Sequence, residues 1–89
     1  MTNEQALEDQ RHYAEQSAET VKQLETAAAA LRAARAAVNE LPDTAGGYYD
    51  HRLGELAEET EKHGQDLTAM KLNIEARLAR FEAGDFSDL

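Results

Sequence analysis

The sequence predicts an all-α fold: an antiparallel, coiled-coil-like two-helix hairpin that assembles into a four-helix bundle. Three observations predict it. Residues 2–41 contain neither glycine nor proline. Apolar side chains recur every seven residues in both halves of the chain. The single proline and a glycine pair fall near the midpoint, in "LPDTAGGYYD", residues 41–50.

The first helix is expected over about residues 3–41. Alanine is abundant there, and it loses no side-chain entropy in a helix. Thr2 or Asn3 suits the N-cap, and Gln5 stands where a capping box from Thr2 would place it. Leu7, Ala14, Val21 and Ala28 form one seven-residue series, and Leu24, Leu31 and Val38 a second. Gln10 and Ser17 occupy apolar slots at the start of that stripe.

The bend is expected over residues 42–47. Pro42 disfavours helical geometry at Leu41, Asp43 and Thr44 suit turns, and Gly46 and Gly47 supply freedom of φ. No phosphate-cradling glycine pattern is present, and no strand precedes one. The second helix is expected over about residues 48–83, with its start open between Thr44 and Asp50. Leu53, Thr60, Leu67, Ile74 and Phe81 are seven apart, as are Tyr49, Leu56, His63 and Met70. Gly84 suits the position just past a helix end, and residues 84–89 read as a short acidic tail.

Each helix is roughly 55–60 Å long at 1.5 Å per residue, and a short connection makes them antiparallel neighbours. Folding at the bend sets Val38 against Leu53, Leu31 against Thr60, Leu24 against Leu67 and Val21 against Met70. Ala28 then faces His63, Ser17 faces Ile74, and Gln10 lies near Phe81.

The 89 residues make one domain, 1–89, with no cysteine for disulfides or thiolate sites. The opening "MTNEQALEDQ" shows no conventional signal peptide, and no apolar run reaches the length of a membrane span. Cytoplasmic is therefore the default compartment. Net charge is −9, from eighteen acids and nine bases. Residues 1–41 carry −3 and residues 42–89 carry −6. The bases are scattered among acids, which argues against direct binding of nucleic acid or of an anionic membrane. The acids read as a solvated surface.

A two-helix seam rich in alanine buries little, while ordering each residue costs about 1–2 kcal/mol of backbone entropy. Pairing with a second copy or a protein partner is therefore expected. The surfaces for it are Leu72 with Ala76, Ala79 and Ala83 on the outer side of helix 2, Leu78 beside the seam, and Tyr48 at the bend, since tyrosine suits an interface anchor. Tyr49 is expected to cover the end of the seam.

Other constellations read as structural. His63 in the seam serves as a polar layer, or else as a proton switch if buried. Glu59 with His63 and His51 with Glu55 are i,i+4, and Asp9 with His12 is i,i+3. A metal needs three or more converging ligands, and the Glu-x-x-His motif of di-iron bundles is absent. No metal or other cofactor is expected. Ser17 and Ser87 have no histidine in a triad-like placement, and paired acids such as Glu58 and Glu59 lack a cleft. No catalytic residue is expected.

At the bend stands Ala45-Gly46-Gly47, and helix 2 ends in "FEAGD", with Phe81 and Asp85 four apart. With these motifs and a hairpin spanning the whole chain, the sequence resembles the small Trp-x-Gly proteins of ESX (type VII) secretion. Alanine stands here for their tryptophan, and phenylalanine for the tyrosine of their Tyr-x-x-x-Asp/Glu signal. The resemblance implies pairing of hairpins into a four-helix dimer, with Phe81 and Asp85 in an export signal. The function expected is a non-enzymatic protein–protein interaction module, an ESX-like small partner among the possible forms. The alternative is an acidic inhibitor, of phage or mobile-element type, that engages a nucleic-acid-processing machine by mimicking phosphate charge.

Overall fold

The computed structural model describes residues 2–89, with only the helical backbone described at residues 43–46. The chain is two helices, α1 (Asn3–Val38) and α2 (Asp43–Glu82), folded as an antiparallel hairpin with no strand among the described residues. α1 starts as its sequence dictates. The Thr2 hydroxyl accepts from the backbone N–H of Gln5 at 3.1 Å, and the Thr2 carbonyl from that of Ala6. The Gln5 carboxamide turns away to Asp9, 2.8 Å, so one arm of the expected capping box is used elsewhere.

The connection is shorter than expected. α1 ends at Val38 and its last turn tightens through Glu40 and Leu41, whose N–H groups reach Ala37 and Val38. α2 begins at Asp43 directly after Pro42, so Gly46 and Gly47 belong to its first turns and not to the bend. Proline alone stops α1; two glycines cost a helix only about 1 kcal/mol each. The capping roles expected of Asp43 and Thr44 concern side chains outside the described residues.

α2 ends as expected. Gly84 has φ +87°, Asp85 donates to the Arg80 carbonyl at 2.9 Å and Gly84 to that of Phe81 at 3.0 Å. This pair of bonds is the Schellman motif. No described helix is long and apolar enough to cross a membrane.

The chain forms two compact units, Met1–Val21 with Asp66–Leu89, and Lys22–Gln65. In the first, α1 buries Ala6, Gln10, Ser17 and Val21 and α2 buries Phe81, with Leu67, Ile74 and Leu78 half-buried. The two polar seam residues find partners. Gln10 donates from Nε2 to the Ile74 carbonyl at 3.0 Å, and Ser17 from its hydroxyl to the Ala14 carbonyl. Buried polar groups without such bonds would cost the fold directly.

In the second unit, α1 buries Ala28 with Leu24, Leu31 and Val38 half-buried, while α2 buries Gly54, Ala57 and Gly64. The series Leu53, Thr60, Leu67, Ile74, Phe81 thus lies on the seam as expected. Of its companion series only Leu56 is half-buried. Tyr49, His63 and Met70 are exposed, and the seam passes one position later, through Ala57, Gly64 and Lys71. A Cβ placed on Gly64 would lie 3.8 Å from the Leu24 Cβ. Small residues let the backbones approach, and that closeness leaves no room for the larger side chains next to them.

Candidate interaction surfaces

The second unit carries a shallow groove of about 400 Å³ between α1 and α2, lined by Arg32, Arg35, Asn39, Gly54, Ala57 and Glu61 among others. Gly54 makes room for Arg35: a Cβ there would meet its guanidinium at 3.0 Å. Arg35 crosses to α2 and binds Asp50 with two prongs, Nε to Oδ1 at 2.9 Å and a terminal nitrogen to Oδ2 at 3.4 Å. That geometry matches a carboxylate. The hydrogen bond to Asp50 raises the Arg35 pKa, and the bonds from Arg35 and then Asn39 hold the Asp50 carboxyl below its usual range. Arg32, one turn before Arg35, pairs with Glu61. The groove is thus filled by charge already neutralised within the chain.

Glu55, Glu58, Glu59 and Lys62 surround a second, open depression of about 300 Å³. Glu55 is held by His51 at 2.9 Å and by Arg52 at 3.8 Å. Among the described residues no group of three or more histidines or acids could hold a metal ion. His63 is exposed, because Gly64 and not His63 takes the seam position. It lacks the burial that a proton switch requires.

The residues expected to bind a partner fall on two surfaces. Near the connection, Tyr48 is 71% exposed and meets Tyr49 edge-on, with ring centroids 5.2 Å apart. Tyr49 is itself more than half exposed and does not cover the seam, since α2 starts early and carries it outward. Leu41 is exposed in the same unit. In the other unit, Leu72 is 59% exposed, and Ala76, Ala79 and Ala83 are exposed with it. Ala69, which the sequence reading did not include, extends this band to spacings of three and four along α2. Leu78 is half-buried and sits toward the seam. Met70, exposed, adds apolar surface outside the band.

Of the residues that carried the family resemblance, Gly47 is exposed within α2, and the others are engaged or undescribed. The Ala45 side chain lies outside the described residues. Phe81 is 3% exposed and belongs to the core, and Asp85 accepts from the Ser87 hydroxyl at 2.7 Å and its N–H at 3.1 Å. Those two bonds, the hydroxyl's first, hold the Asp85 carboxyl below its usual range.

Comparison with protein-family models, with curated proteins and with solved structures finds no match to this chain.

Proposed function

We propose that the chain is a non-enzymatic protein–protein interaction module that completes its core by pairing through apolar helix faces, first with a second copy of itself in a four-helix bundle. One observation carries this reading: among the described residues Phe81 is the one large aromatic in the core, while Tyr48, Tyr49, Met70 and Leu72 are each more than half exposed.

Sedimentation equilibrium over a wide concentration range tests it. A dimer or larger assembly is expected, and Leu72→Glu should return it to monomer with helicity intact. A monomer at every concentration refutes self-association. The acidic-inhibitor alternative has a separate signature. Changing Glu55, Glu58 and Glu59 together to Gln would abolish partner binding under that alternative and leave it intact under ours.

A further inference from the structure

The last residues of the chain are not loose. Gly84 reverses the backbone at φ +87°, and the chain returns along α2. Phe86 stacks on Phe81, with centroids 4.9 Å apart and planes at 21°. Asp88 pairs with Arg80 and lies 3.8 Å from Arg77 Nε. The Arg77 guanidinium sits over the Phe81 ring at 5.1 Å, a cation–π contact. α2 therefore presents an aromatic platform beside two arginines, and the tail answers it with an aromatic residue and, two positions later, a carboxylate.

The fit is incomplete at two points. Arg77 Nε is buried without a hydrogen-bond partner, because at 3.8 Å the Asp88 oxygen is beyond hydrogen-bond reach. Leu89 is 57% exposed, and a cleft of about 230 Å³ remains beside it, lined by Ala6, Gln10, Tyr13, Arg77 and Phe81. A donor without a partner and an open cleft, lined by Asp9 and Gln10 as well as by apolar side chains, lie side by side there.

We propose that this end of α2 is a peptide-docking site for an acidic segment of a partner protein, one with an aromatic residue two positions before a glutamate, and that residues 85–89 occupy it in cis. A glutamate is one methylene longer than Asp88 and closes the gap to Arg77 Nε. Asp9 also lines the cleft, so the residue seated at the Leu89 end is neutral and apolar rather than a free carboxylate. The cis tail competes at an effective concentration in the millimolar range, as a short linker confers. An incoming segment displaces it only by filling what it leaves open. The proposal does not depend on self-association.

The test uses the full chain and its Phe86→Ala/Asp88→Ala variant, with helicity checked by circular dichroism. The probes are two fluorescent, C-terminally amidated peptides, one with the sequence of residues 84–89 and one with glutamate in place of Asp88. Fluorescence anisotropy should show binding to the variant at least tenfold tighter than to the unaltered protein. The glutamate peptide should bind several-fold tighter than its aspartate counterpart, and added Arg80→Gln should weaken both. Equal affinity for variant and unaltered protein, no binding to the folded variant, or indifference to Arg80→Gln would each overturn the proposal.

Discussion

Gly64→Ala should stabilise this protein, and the size of the gain follows from the seam. Gly64 lies inside α2, is buried, and has no positive φ. Replacing glycine by alanine within a helix gains about 1 kcal/mol. The new methyl would stand 3.8 Å from the Leu24 Cβ, ordinary van der Waals contact, and a buried methyl contributes about 0.8 kcal/mol more. The sum is about 1–2 kcal/mol, or roughly 5–10 °C in melting temperature for a domain of this size. Gly84→Ala is the internal control. Nothing lies within 4 Å of a Cβ there, yet its φ of +87° costs an L-residue about 1–2 kcal/mol. Thermal melts by circular dichroism at one fixed protein concentration separate the two. If Gly64→Ala lowers the melting temperature, the helices approach more closely at that point than the Leu24 contact allows, and the reasoning fails.

Phe81→Ala removes the largest side chain of the core and should cost about 3–5 kcal/mol, measured by urea unfolding against the exposed control Gln65→Ala. Acid should weaken the second unit in a defined way. Asp50 has a lowered pKa in the folded chain, so its contribution is complete above the ordinary aspartate value of about 3.9 and is lost as pH falls through and below it. Asp50→Asn should lower stability at pH 7 and flatten this acid limb in unfolding curves recorded from pH 7 to pH 2. Leu72→Glu should leave the thermal melt of dilute protein near its starting value while abolishing assembly at high concentration.

The hairpin was legible because its strongest signals were independent of one another: a glycine-free, alanine-rich first half, proline at the turn, and the run from Leu53 to Phe81 at intervals of seven. The second stripe of α2 was legible only in part. A search for large side chains selects Tyr49, His63 and Met70 over Gly64 and Ala57, whereas closely packed helices select for small ones. Glycine carries two opposed meanings, helix breaker and close-approach residue, and Gly46 and Gly47 were read as the first although α2 runs through them. Gly84 was read correctly because it follows Phe81, the last strong residue of the stripe. The exposed band at Leu72 and the exposed Tyr48 were visible as residues out of phase with the seam. The docking of the tail was not. Phe86 and Asp88 reach Phe81, Arg77 and Arg80 only after the chain reverses, and in sequence they look like any short polar end.

The bond from Gln10 to the Ile74 carbonyl has a consequence for motion along the seam. The seam positions of α1 beside Gln10 are small, Ala6, Ala14 and Ser17, and the two helices could shift locally there with little loss of apolar contact. Gln10 acts against this as a detent. Sliding would carry the Ile74 carbonyl away and strand a buried amide. A Gln10→Leu protein should therefore melt no lower than the natural one yet sample shifted alignments, broadening the amide resonances of residues 70–81 while the melting curve stays in place.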